Sequence, residues 1–181
     1  MVPLVAPAAD RPNGLADEKK GRGGRRTLGD NLPPVHAPSS FRSVTGEPAR
    51  LLFVCVENSN RSQMAEAFAR MHGGGRVEAV SAGSRPSGRV NPRAIAAMAE
   101  KGYDLSKHGS KSLDDIPKGE YEYVVTMGCG DACPWVPARH REDWDLLDPR
   151  NMDPPAFNRV RDDIERRVIA LLDRLSAGTS R

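Results

Sequence analysis

The run LLFVCV, Leu51–Val56, is apolar at every position instead of alternating with polar residues. A strand with one wet face alternates, so an unbroken run predicts a strand covered on both faces. Such strands belong to parallel sheets whose crossovers are helices, which places the chain in the α/β class. The segments that follow fit. RSQMAEAFARMH sets Met64, Phe68 and Met71 at helical spacing, and the glycines at 73–75 stop that helix. RVEAVSAG reads as a second strand. Asn91-Pro92 opens a helix with an N-cap and an N1 proline, Ile95, Met98 and Ala99 form its buried face, and Gly102 closes it. YEYVVTMG, 121–128, is a third strand, and a brief fourth is expected in DWDLL, 143–147. A closing helix over about 156–176 carries the apolar stripe Val160, Ile164, Val168, Leu171, Leu172 and Leu175. The expected fold is a three-layer α/β/α arrangement around a four-stranded parallel sheet, over residues 49–178.

Residues 1–48 hold seven of the fifteen prolines, charge clusters such as DEKKGRGGRR, and no sustained periodicity. They read as a disordered tail, because such a composition buries too little apolar surface to offset ordering entropy. A formal net charge of +3, nearly balanced over the later residues, leaves no electrostatic footprint for nucleic acid. No stretch has the roughly 18 apolar residues of a membrane span, and no basic-then-apolar leader opens the chain. A cytoplasmic monomer without a membrane partner is the expectation. Three cysteines, 55, 129 and 133, are too few and too odd for a disulfide scaffold and point to reactive thiols or a metal. Zinc fits poorly, since C-x3-C lacks a second ligand pair and His140 is the only nearby histidine.

Ligands of open α/β sheets sit beyond the carboxyl ends of the strands. Cys55 ends the first strand and Cys129 the third, so both are expected at one edge. Between Cys55 and the helix beginning near Arg61 lies VENSN. Backbone N–H groups of such a turn, with those of the helix's first turn, form an anion-binding concavity. Arg61 adds a planar fork of donors matched to a tetrahedral oxyanion, and its field favours the Cys55 thiolate. Ser62 can donate to that thiolate, and Asn58 can tie the loop to itself. The residues describe a nucleophilic sulfur aimed at the central atom of an oxyanion. An inert buried cysteine beside a surface arginine is the bland alternative. His72 and His108 are expected at a helix end and on a surface loop, and Trp135 and Trp144 in the core.

CVENSNRSQMAEAFAR resembles the phosphate-binding loop and first helix of the low-molecular-weight protein tyrosine phosphatase fold. Within it the chain resembles the arsenate reductases coupled to thioredoxin, over about residues 50–175. The resemblance implies Cys55 as nucleophile, Arg61 with Asn58, Ser59, Asn60 and Ser62 as the substrate-binding loop, and Asp148 of Asp148-Pro149 as general acid. It implies Cys129 and Cys133 as successive relay thiols, arsenate as substrate, and thioredoxin, or glutaredoxin, as external reductant. No tightly bound cofactor is implied, although Glu66 and Ser81 resemble positions that hold a stabilising potassium ion beside the loop asparagine. Two positions depart from the pattern. Glu57 stands where phosphatases commonly carry glycine, in a place that asks for an awkward backbone, and its carboxylate opposes anion binding unless it turns away. Asn60 stands where many relatives have another cysteine. Phosphatases usually carry tyrosines after the Asp-Pro pair, whereas Arg150-Asn151 follow here. Three readings stay open: a thiol-dependent arsenate reductase, a phosphotyrosine phosphatase, and a noncatalytic oxyanion-binding module.

Overall fold

A computed structural model describes residues 47–128 and 134–178. The tail therefore lies outside the described residues apart from Glu47 and Pro48. Four strands form one parallel sheet: β1 (Ala49–Cys55), β2 (Val77–Gly83), β3 (Tyr121–Thr126) and β4 (Ala138–Asp143), in the order β2-β1-β3-β4. Three α-helices accompany them, α1 (Arg61–Gly73), α2 (Pro92–Ala99) and α3 (Pro154–Gly178). The α/β fold with a four-stranded parallel sheet is as the apolar runs predict. None of the helices among the described residues is long and apolar enough to cross a membrane.

β1 is central, and its alternate side chains feed two cores. Leu51, Phe53 and Cys55 pack with Met64 and Phe68 of α1, Met98 of α2, and Ile164, Val168 and Leu171 of α3. Leu52 and Val54 face the other way, with Val124, Tyr121 and Ile116. That second core is closed, among the described residues, by Leu113 and Ile116 of the segment before β3. Burial on both faces explains why β1 shows no alternation.

Several local expectations are corrected. The fourth strand is Ala138–Asp143 rather than 143–147. It is an edge strand of mostly exposed polar residues, so it carries no apolar signal and is held by its ladder to β3. The apolar residues of 143–147 belong to a loop instead: Trp144 is 4% exposed and packs against Phe53. Trp135, expected in the core, is 77% exposed with Arg141 over its ring. Met71 lies at the rim, 36% exposed, and Ala99 is exposed while Ala94, Ala97 and Met98 carry the inner face of α2. Asn91 caps α2 through its side chain, as its position before Pro92 predicts.

Candidate active site

After β1 the chain crosses to β2 on one side and then returns past β1 to β3 on the other. The carboxyl end of β1 is thus where the connections part, which opens a crevice there. Cys55 is the last residue of β1, 3% exposed at the floor of this crevice. A cleft of about 370 Å³ is lined by Cys55, Val56, Glu57, Ser59, Asn60, Arg61, Gly128, Leu146, Leu147, Asp148 and Arg150.

The loop's shape follows from where its carbonyls go. Those of Cys55, Val56 and Glu57 accept from the N–H groups of Ser84, Arg85 and Ser87, at 3.1, 2.8 and 3.0 Å. Asn58 O accepts from Gln63 Nε2, Ser59 O from Asn91 N, and Asn60 O from Met64 N. Every carbonyl from 55 to 60 is turned into the scaffold. In a planar trans peptide the N–H points opposite to the C=O, so the loop's N–H groups converge on the hollow. Asn58 N–H does so visibly, lying 3.2 Å from Cys55 Sγ.

Asn58 holds this turn. It is the one non-glycine residue with positive φ among those described, at 49°. The strain expected at Glu57 is therefore borne by its neighbour, a residue type that tolerates the left-handed region. Asn58 Nδ2 donates to Ser62 Oγ at 2.9 Å and Ser81 Oγ at 2.8 Å, while Oδ1 accepts from Lys111 N and Gln63 Nε2, both at 2.8 Å. Ser62 Oγ lies 3.0 Å from Cys55 Sγ, where either group can donate. The Asn58 N–H and the Ser62 hydroxyl thus both reach the sulfur, an arrangement that suits a nucleophile.

Arg61 begins α1, is 8% exposed, and is steadied by Leu146 O at 3.1 Å. Gly128, with φ 70°, flanks it so closely that a Cβ there would lie 2.9 Å from Arg61 Nη1. Gly83 plays a similar part beneath the loop, where a Cβ would meet Val56 O at 2.8 Å. Asp148 lies on the facing wall, half exposed, and caps a short 3-10 turn (Pro149–Asn151) by accepting from Arg150 N. Asn60 is 7% exposed and its Oδ1 is buried without a hydrogen-bond partner among the described residues. Glu57 turns its carboxylate to Arg150, at 2.6 Å. Cys129 and Cys133 lie outside the described residues; Gly128, the residue before Cys129, lines the cleft.

Glu66 and Ser81 stand beside Asn58, as the sequence suggests, but the set does not fit a potassium ion. Glu66 is 1% exposed, with Arg70 at 2.5 Å and Lys111 at 3.4 Å, and it accepts from Ser81 Oγ at 2.5 Å. Ser81 in turn accepts from Asn58. The oxygens a cation would need are engaged by donors, and two protein cations already balance the carboxylate. His108 is also corrected: its side chain is 7% exposed, not a surface loop residue. Gln63 gives its Nε2 hydrogens to Asn58 and Gly109, so its Oε1 accepts from His108 Nδ1 at 3.0 Å, and His108 Nε2 accepts from Tyr103. Burial holds His108 below its ordinary value of 6.5, against the upward pull of Glu66. His72 sits at the end of α1, 3.0 Å from Glu165. Gln63, Lys111 and Gly83 are residues around the cleft that sequence reasoning misses. Gln63 follows Ser62 directly and could have been suspected, but Lys111 and Gly83 carry no local signal.

The sequence pattern of the low molecular weight phosphotyrosine protein phosphatase family matches residues 50–181. A glutaredoxin arsenate reductase from Synechocystis is 39% identical over 130 residues, 70% of this chain and 98% of that one. A solved structure of an arsenate reductase in the phosphate binding state is 38% identical, covers 71% of this chain and 99% of its own, and superposes with a TM-score of 0.65. The thioredoxin-dependent arsenate reductase of Corynebacterium glutamicum is similar at 31% identity, 75% and 65% coverage and a TM-score of 0.62. With a hollow built on a strand-end cysteine, a family pattern that matches residues 50–181, and two of these relatives aligned across nearly their whole length, the chain belongs to the low molecular weight phosphotyrosine protein phosphatase family, in its arsenate reductase branch.

Proposed function

We propose that this protein reduces arsenate to arsenite by a three-cysteine relay, in the service of arsenic detoxification. Cys55 thiolate attacks arsenic in the cradle of loop N–H groups, Arg61 and Ser62. An As–O bond breaks, and Asp148 supplies the proton with which that oxygen leaves as water. Cys129 thiolate then attacks Cys55 Sγ. The S–As bond breaks with its electron pair passing to arsenic, so arsenic(V) leaves as arsenite while two thiols become a 55–129 disulfide. Attack by Cys133 on Cys129 Sγ frees Cys55 and moves the disulfide to 129–133, where an external dithiol protein returns two electrons. Potassium enters no step.

The observation that carries this reading is the cradle beside Gly128. A nucleophilic sulfur, an oxyanion hollow and the residue preceding a second cysteine line one cleft. Ester hydrolysis needs one thiol and water, whereas reduction needs a second sulfur within reach. Relatives' names divide over the reductant, glutaredoxin in one and thioredoxin in another. We favour thioredoxin. Arsenite formation measured with a thioredoxin system and with a glutaredoxin–glutathione system identifies the donor. Cys129→Ser is expected to abolish steady turnover with either while a weak phosphatase activity survives. Undiminished arsenite formation in that variant would overturn the relay.

A further inference from the structure

Glu57 and Arg150 face each other across the mouth of the cleft. Glu57 is in the cradle, two residues after the nucleophile, and Arg150 is two residues after Asp148 on the opposite wall. Arg150 Nη2 and Glu57 Oε1 are 2.6 Å apart, so nothing passes between them. Both also line a neighbouring cleft, formed with Ser87, Arg89 and Asn91. The ion pair is a partition between two hollows. Arg150 is set in place from behind, because Arg93 of α2 donates to the carbonyls of Arg150 and Met152 at 3.4 and 2.7 Å.

In-line attack by Cys55 places the departing oxygen opposite Sγ, on the Asp148 side. On an inorganic oxyanion that oxygen bears a proton at most. On an ester it bears a carbon group, which must emerge past Leu147, Asp148, Arg150 and Glu57. An aromatic ring needs walls about 7 Å apart, twice the carbon–carbon contact distance of ~3.5 Å. We propose that the Glu57–Arg150 ion pair is a selectivity bar, favouring a free tetrahedral oxyanion over aryl phosphate esters, which enter only weakly. Arg150 also cancels the Glu57 charge that would repel a dianion. This deepens the oxyanion reading above and rests on it.

The test uses protection of Cys55 from iodoacetamide, followed by peptide mass mapping at that residue, with inorganic phosphate or phenyl phosphate as probe. In the wild type, inorganic phosphate protects at concentrations about tenfold or more below phenyl phosphate, as expected of exclusion by an obstructing pair. In Glu57→Ala/Arg150→Ala, the two probes converge to within about threefold and inorganic phosphate changes little, since no net charge is lost. Arg150→Ala alone weakens inorganic phosphate roughly tenfold by leaving Glu57 uncompensated. Glu57→Gln, the gentler change, moves the ratio in the same direction as the double variant. Equal protection by both probes in the wild type, or an unchanged ratio in the double variant and in Glu57→Gln, overturns the bar. Because alkylation needs no turnover, a shifted ratio in a protein that fails to reduce arsenate sinks the reductase reading and leaves the bar standing.

Discussion

At Asn58 the chain accepts a left-handed backbone, φ 49°, and recovers the strain through hydrogen bonds to Ser62, Ser81, Gln63 and Lys111. Asn58→Ala removes those partners and leaves an alanine where the left-handed region costs about 1–2 kcal/mol. We expect loss of Cys55 reactivity together with a lowered unfolding midpoint. Ser62→Ala is more selective. It removes one donor to the thiolate, a bond to a charged group worth about 1.5–3 kcal/mol, or roughly ten- to a hundredfold in alkylation rate at neutral pH, with stability little changed. Lys111 tests the cation question. The wild type is expected to melt at the same temperature in potassium and sodium chloride. Lys111→Ala should lower stability by about 1–3 kcal/mol, less than full loss of a buried partner because Arg70 stays. A potassium-specific stabilisation of the wild type would contradict this assignment. Cys55 and Arg61 were legible as cleft residues because they share one compact sequence pattern, and Asp148 through the resemblance that Asp148-Pro149 carries. Gly83 was not, since its reason is the loop pressed against it from another segment.

Among the elements, the buried ones announce themselves and the exposed ones do not. β1 and α3 are visible in the sequence because apolar residues are there for burial; Ile164 and Leu171 of α3 are fully buried. Ile164→Ala is expected to cost about 2–5 kcal/mol, against roughly 1 for Leu175→Ala at the partly buried end, as measured by urea unfolding. β4 hides, because its side chains are exposed and its pairing energy comes from backbone bonds to β3. The apolar residues after it drew the expected strand forward by five residues. Their actual duty is divided: Trp144 fills the core, and Leu146 offers its carbonyl to Arg61. A loop can bury aromatic surface as well as a strand does, and periodicity alone does not separate the two.

Across the whole molecule, the site depends on segments far apart in the chain being locked together. The network from His108 through Gln63 to Asn58 joins the segment after α2 to the cradle. Its pH dependence has a definite sign. His108 is held below 6.5 by burial, so between that lowered value and 6.5 the unfolded chain binds a proton that the folded one does not. Stability is complete above the unfolded value and declines as pH falls through this window. His108→Gln, which cannot titrate, should flatten that part of the stability–pH curve in denaturant melts; an unaltered slope would remove His108 from the account. The sequence by itself determined the α/β class, the cysteine at the end of a buried strand and the turn that leads from it into a helix. These rest on local patterning, where each residue's neighbours in the chain are also its neighbours in space. Only the tertiary structure decided that Glu66 is balanced by Arg70 and Lys111, that His108 is buried, and that Glu57 meets Arg150 across the mouth. Packing brings such partners together across long stretches of chain, and no sequence spacing encodes that meeting.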